Sequence, residues 1–231
     1  MKKAVFITGT DTGVGKTVVT GLLARFFLKK GSSIITQKWI GTGSRGFSAD
    51  IQTHLKLMNK PKAYIKDHLE YVCPYTFKAA CSPHLAAESE GKKISSNKIK
   101  KDFKLLNKVF NFVLVEGVGG VLVPFDKSHT VIDIVKDLHL PVLIVVGNKL
   151  GAINHTLLTV EALKKRKIDV LGMVFNNFPK QDQKILADNQ RIIKSITKYE
   201  VFGALNRRTD HNKLHEDFIP IGEKIWQRIR S

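Results

Sequence analysis

A three-layer α/β/α fold with a mostly parallel central sheet is what the sequence predicts, and three observations lead there. Short runs that are apolar throughout alternate with stretches of helical periodicity. The first of these runs leads directly into a glycine-rich loop and a helix, and a later one ends in an acid followed by glycines. A strand apolar throughout is buried on both faces, which a parallel sheet achieves by covering each face with crossover helices.

Taken in order, Ala4–Thr8 is the first buried strand. The next stretch, Lys16–Lys29, repeats apolar residues at helical spacing (Val19, Leu22, Leu23, Phe26, Phe27), and Gly31 stops it. Ser33–Lys38 reads as a second strand and Ala49–Met58 as a helix. Asn97–Val109 is helical and Phe112–Glu116 is the next strand. The alternation continues through strand Pro141–Val146, a helix near 153–166, strand Val170–Phe175 and a helix near 184–196. The irregular stretch 59–96 is expected to run as an excursion over the surface. No repeat, low-complexity segment or linker divides the chain, so its 231 residues are expected to form one domain.

The first strand runs into Gly9-Thr10-Asp11-Thr12-Gly13-Val14-Gly15-Lys16-Thr17. Loop amides and the following helix dipole together favour phosphate. Gly13, Val14 and Gly15 supply that cradle, Lys16 would reach the outer phosphates, and the Thr17 hydroxyl would sit on Mg²⁺. The common motif, G-x-x-x-x-G-K-[ST], has its first glycine where Thr10 stands, and Gly9 comes one residue earlier. The expected fold is thus of the P-loop NTPase type, with ATP and Mg²⁺ as its cofactors.

Mg²⁺ prefers oxygen ligands. Glu116, at the end of its strand and before Gly117-Val118-Gly119-Gly120, stands where a Walker-B acid belongs. Asp50 could add a second carboxylate, or serve only as a first-turn acid favoured by its helix dipole. Lys38 ends the second strand and faces the same sheet edge, where it could stabilise charge on a transferring phosphoryl group. Gly41-Thr42-Gly43-Ser44-Arg45-Gly46 matches the dinucleotide fingerprint, but the phosphate loop already holds the first strand–helix turn. It reads instead as a flexible loop facing phosphate or substrate.

Two cysteines, Cys73 and Cys81, suggest reduced thiols rather than a disulfide scaffold. After Met1-Lys2-Lys3 the apolar run ends at Thr8, shorter than the roughly 7–15 residues of a signal-peptide core. No other run is long enough to span a bilayer, so a cytoplasmic location is expected. The net charge of +18 raises the question of nucleic acid. Its lysines are dispersed or crowd helix faces (92–108, 164–167) without interleaved aromatics, so solvated faces are expected and neither nucleic acid nor membrane is the expected partner.

Together these segments resemble dethiobiotin synthetase. The resemblance rests on the long-spaced phosphate loop Gly9–Thr17, on Val115-Glu116-Gly117-Val118-Gly119-Gly120 and on Pro74-Tyr75-Thr76-Phe77 with Ser82-Pro83-His84. It also rests on Val146-Gly147-Asn148-Lys149-Leu150-Gly151-Ala152-Ile153-Asn154-His155, and it spans about residues 4–177. The resemblance implies that 7,8-diaminononanoate, CO₂ and ATP are the substrates. Thr12, Lys16 and Lys38 would surround the transferring phosphoryl group, and Thr17, Asp50 and Glu116 would hold Mg²⁺. Thr42 and Gly119 would lie near the diamine, and Asn176 would read adenine. Gly151, Ala152, Ile153 and Asn154, contributed across a homodimer interface, would bind the substrate's carboxylate. Cys73, Cys81, His84 and His155 are read as structural.

The chain departs from that pattern at Trp39 and Asn206, each where proline is usual, and it has no tyrosine around Asp188-Asn189. The competing reading is a partitioning or positioning ATPase of the same P-loop branch. Those proteins carry a signature lysine where Asp11 stands here, and their membrane-binding members end in a basic amphipathic helix. The tail does carry such a pattern, but its stripe of Ile221, Ile225 and Ile229 suggests packing on the domain. A glutamine-dependent amide synthetase of the cobyrinate type would need a glutaminase domain that 231 residues do not accommodate.

Overall fold

The computed structural model describes residues 4–230; Met1-Lys2-Lys3 of the basic N-terminal lead and Ser231 lie outside the described residues. The chain begins with β1 (Ala4–Gly9), α1 (Lys16–Lys29), β2 (Ile34–Lys38), β3 (Ile40–Gly41) and α2 (Ala49–Met58). A 3₁₀ stretch over Lys62–His68 precedes α3 (Leu69–Val72), β4 (Tyr75–Thr76), α4 (Pro83–Ser89), α5 (Ser96–Val109) and β5 (Phe112–Glu116). Then come α6 (Val131–Asp137), β6 (Val142–Asn148), α7 (Ala152–Lys165), β7 (Val170–Asn177), α8 (Gln183–Thr197), β8 (Val201–Leu205) and α9 (His211–Arg230).

Six strands form one sheet in the order β2-β5-β1-β6-β7-β8. Each neighbouring pair in it is parallel. Strand β1 sits between β5 and β6, where the strand order switches direction, so the loops after β1, β2 and β5 meet at one carboxyl edge.

Period-two alternation sorts the strand side chains into two apolar layers. Val5, Ile7, Phe112, Leu114, Leu143 and Val145 face α1 and α9. Phe6, Val113, Val115, Ile144 and Val146 face α5, α6, α7 and α8. Each large side chain so buried contributes roughly 1.5–3 kcal/mol.

Helix α1 is apolar around most of its girth because it lies between the sheet, α2 and α9. Gly21 permits the close approach of α2: a Cβ there would meet Leu57 Cβ at 2.8 Å and the His54 Cα at 3.3 Å. That contact sets the distance between α2 and the phosphate loop.

The tail packs as its isoleucine stripe suggests. Ile221, Ile225 and Ile229 are buried, and Trp226 meets Phe27 edge-on with centroids 4.9 Å apart. The lysines of α5 lie on its outer face, while Ile99, Phe103 and Leu106 turn inward. Among the described residues no helix is long and apolar enough to cross a membrane.

One expectation is corrected. The stretch 59–96 is not an excursion over the surface. Ile65, Val72, Phe77 and Ala86 are buried in the larger core layer, and β4 pairs with β3 in a parallel two-stranded ribbon. The loop after β2 is accordingly pinned rather than free: Gly43 N–H donates to Ala79 O and Ser44 N–H to Phe77 O, both at 3.0 Å.

Candidate active site

A helix leaves its first-turn amides without intrahelical acceptors. The phosphate loop aims those of α1 at the carboxyl edge of the sheet. Gly15 caps α1 at φ 97°, a left-handed value, and a Cβ there would lie 2.3 Å from Asn176 Nδ2. Only glycine meets both conditions. Lys16 folds back over the loop, and its Nζ donates to Asp11 O at 2.9 Å. Burial, then repulsion from Lys38, lowers its pKa to about 8.

Beside the loop lies a buried ionic cluster. Lys38 Nζ donates to Glu116 Oε1 at 2.8 Å, to Asp50 Oδ2 at 2.8 Å and to Gly117 O at 2.9 Å, which satisfies all three ammonium hydrogens. Thr17 Oγ1 lies 3.0 Å from Glu116 Oε1 and 3.2 Å from Asp50 Oδ1. Glu116 is 1% exposed. Burial, the largest influence on its carboxyl, raises the pKa; the charge of Lys38 and the hydrogen bond from His54 outweigh it and bring the value to about 2. For Lys38 burial again opposes the charged form, and Glu116 and Asp50 overcome it, so its pKa is raised.

A cleft of about 650 Å³ collects Thr12, Gly13, Gly15, Lys16, Thr17, Lys38, Thr42, Asp50, Glu116 and Gly119 on its walls. Cys81, Ser82 and Pro83 close its far side, so Cys81, expected to be structural, also borders this space. A second cleft of about 270 Å³ shares Gly13 and Gly15 with the first and runs on to Asn176, Asn177, Phe178 and Asn206. The two clefts therefore adjoin at the glycines of the phosphate loop.

Within these clefts two expected roles change in detail. The Val14 side chain is buried and its carbonyl accepts from Asn176 Nδ2 at 3.0 Å, so only its backbone amide is left for a ligand. Asn176 therefore braces the phosphate loop, and its Oδ1 is what remains to face a base. Gly151, Ala152, Ile153 and Asn154 form the start of α7 and belong to the walls of neither cleft.

Sequence reasoning missed His54. It follows Asp50 by one helical turn on α2, and its Nε2 lies 2.7 Å from Glu116 Oε2. The i, i+4 spacing from Asp50 was the available signal. Arg207 and Arg208 on the second cleft were missed as well, in a segment without periodicity.

The oxygen donors of Thr17, Asp50 and Glu116 are hard ligands of the kind Mg²⁺ takes, so the donor set fits that ion. The fold and this site define a P-loop ATP-binding protein. Comparison with known proteins narrows the class. Residues 3–213 match the family model described as an AAA domain. The ATP-dependent dethiobiotin synthetase BioD 2 of Pasteurella multocida is 40% identical over 200 residues, covering 86% of this chain and 93% of its own. The synthetase BioD of Chlorobaculum tepidum is 43% identical over 197 residues, covering 85% and 82%. The chain belongs to the dethiobiotin synthetase family, as its motifs led one to expect. Among solved structures, MinD of Pyrococcus horikoshii with Mg-ADP superposes with a TM-score of 0.62 at 13% identity, over 100% of this chain and 99% of that one. The pNOB8 ParA bound to nonspecific DNA gives 0.61 at 14%, with the same coverage. At such identities the likeness shows the fold alone.

Proposed function

We propose that this chain is a cytoplasmic enzyme that closes a ureido ring on 7,8-diaminononanoate with CO₂ and ATP. The observation that carries the reading is the cluster of Lys38, Asp50, Glu116 and Thr17 beside Lys16, opening onto one cleft with Thr42. In this reading one amine of the diamine takes up CO₂ as a carbamate. The carbamate oxygen attacks the γ-phosphorus of ATP, and ADP leaves. The second amine then attacks the carbonyl of the mixed anhydride, phosphate departs, and the ring is closed.

Phosphoryl transfer of this kind depends on position and charge more than on covalent help from the protein. Lys16 and the loop amides hold the β- and γ-phosphates. Thr12, exposed, and Lys38, buried, both line this cleft, which supports roles for them around the transferring group. Thr42 and Gly119 border the same space and are suited to the diamine end. Bound at Thr17, Asp50 and Glu116, Mg²⁺ would neutralise charge developing on the phosphate oxygens. Asn176 borders the second cleft, which supports its reading the base.

ADP release from ATP, with Mg²⁺ and bicarbonate, is the test. It is expected to depend on the diamine. Equal hydrolysis without the diamine would leave the phosphate loop correctly read, overturn the substrate and favour a regulatory ATPase.

The same reading takes the enzyme as a homodimer of single-domain subunits, with the start of α7 reaching the neighbour's cleft. Leu150 and Leu158, 79% and 56% exposed, flank Gly151–Asn154 and support a covering partner there. Leu158→Glu is expected to weaken the dimer by about 2 kcal/mol or more, roughly 30-fold in dissociation constant. Sedimentation should show monomer at micromolar concentration, with a raised KM for the diamine. A dimer as stable as the wild type would refute this interface.

A further inference from the structure

The carboxylate of Glu116 divides its two oxygens. Oε1 meets Lys38 Nζ at 2.8 Å and Thr17 Oγ1 at 3.0 Å, and among the described residues Oε2 meets only the ring of His54, at 2.7 Å. Oε2 is a carboxylate oxygen that accepts, its partner oxygen being paired with the Lys38 ammonium, so the 2.7 Å contact takes its hydrogen from His54 Nε2. The ring is fully buried, and its Nδ1 has no hydrogen-bond partner among the described residues. Buried polar atoms are ordinarily partnered, and a side chain serving packing alone would do better as leucine. The imidazole has instead committed its one donor to Glu116 and left its other nitrogen unmatched.

We propose that His54 is a positioning residue: its Nε2–H fixes the rotation of the Glu116 carboxylate so that Oε1 stays presented to the metal site. The terminal torsion of a glutamate is soft and roughly two-fold, so nothing in the side chain itself sets which oxygen faces the cleft. His54 sets it from behind. It rides on the same helix as Asp50, one turn away, so α2 carries both a ligand and the brace of a second ligand. Gly21 fixes the distance of that helix, since His54 Cα would lie 3.3 Å from a Cβ there. Partners that orient a metal ligand from outside change metal affinity by about 10–100-fold when removed.

The proposal rests on Glu116 being a metal ligand, and the test separates the two claims. Mn²⁺ binding to the full chain with ADP is followed by electron paramagnetic resonance, together with thermal melting, for wild type, Glu116→Gln, His54→Leu and His54→Gln. His54→Leu is expected to raise the Mn²⁺ dissociation constant about 10-fold or more. Metal-free ADP binding should stay unchanged. His54→Gln, which restores an N–H donor, is expected to return most of the affinity. If Glu116→Gln leaves Mn²⁺ binding intact, the metal-site reading falls and the proposal with it. If Glu116→Gln abolishes binding while His54→Leu, still folded, binds as wild type does, only the proposal falls. A glutamine variant no better than leucine also overturns it. ¹⁵N spectra of the wild type give a check that needs no variant: the Nε2–H tautomer with a downfield proton is expected, and an Nδ1–H tautomer contradicts the proposal.

Discussion

Lys16→Ala is expected to give a folded protein whose diamine-dependent ADP release is slower by on the order of 10²–10³-fold, the usual loss when one charge-stabilising donor is removed. Its stability should not suffer. Lys16 is 6% exposed, and its hydrogen bond goes to the Asp11 carbonyl; among the described residues no carboxylate stands within ion-pair distance. Burial and the nearby charge of Lys38 lower its pKa to about 8, against 10.5 for a free lysine. Below pH 8 the lysine is protonated in both folded and unfolded chains, and the folded state bears the full burden of the buried charge. Between pH 8 and 10.5 only the unfolded chain keeps the proton, so wild-type stability rises with pH through that window. The alanine variant lacks this burden and should be more stable than wild type by about 1–3 kcal/mol at pH 7 without nucleotide. The advantage should shrink toward pH 10. Thermal melts at the two pH values check this, and a variant that melts below wild type at pH 7 contradicts it.

Much of the sheet is legible because buried parallel strands announce themselves as apolar runs. Residues 4–8, 34–38, 112–116 and 170–175 need only length and bounding glycines or acids to be read. Helix α1 follows from its spacing and the stop at Gly31, and α2 from its helical stretch over Ala49–Met58. Elements without such periodicity escape. Strand β8 is an edge strand, half-exposed, with Gly203 at its centre. Helix α6 has seven residues, too few to establish a period, although its Thr130–Asp133 capping box was readable. Ile65, Val72 and Phe77 are buried from a 3₁₀ stretch, a four-residue helix and a loop, all too short for a helical or strand period to mark them as core.

The site was legible where chemistry is local in sequence and opaque where it depends on packing. Gly-Lys-Thr after a strand identifies the phosphate loop by itself. Lys38, read alone, was indistinguishable from any surface lysine, and only its enclosure by Asp50 and Glu116 gives it a role. His54 and Glu116 are 62 residues apart, and their contact depends on how closely Gly21 lets α2 approach α1. Asn176 is tied to the phosphate loop across 162 residues, a bond that no local pattern encodes.

Lys38→Met is expected to do the opposite of Lys16→Ala to stability, although both remove one positive charge from the same cleft. The Lys38 ammonium is enclosed by Glu116 and Asp50, so its loss leaves a carboxylate with 1% exposure facing a second one across the space it filled. Breaking a buried ion pair from one side costs about 3–5 kcal/mol, because the remaining charge is uncompensated. The loss should appear in metal-free buffer at pH 7, and Mg²⁺, proposed to take the same oxygens, should recover part of it. The pH response should also invert. In the wild type, Glu116 has its pKa lowered from 4.5 to about 2, so its stabilising contribution is present above pH 4.5 and lost as pH falls through 2. Without Lys38, burial and the facing Asp50 are opposed only by the hydrogen bonds from His54 and Thr17 and the more distant charge of Lys16, so protonation relieves the site and the variant should melt higher at pH 5 than at pH 7. Turnover should stay down by on the order of 10²–10³-fold even in saturating Mg²⁺ if the ammonium also stabilises the transferring group, as proposed. A variant that melts like wild type in chelator, or that ignores Mg²⁺, would show that Lys38 does not hold the two acids. If turnover returned with Mg²⁺, Lys38 would be a structural counter-ion only. The two lysines differ in partners rather than in charge: one is held by a carbonyl, while the other already neutralises the two acids proposed as metal ligands.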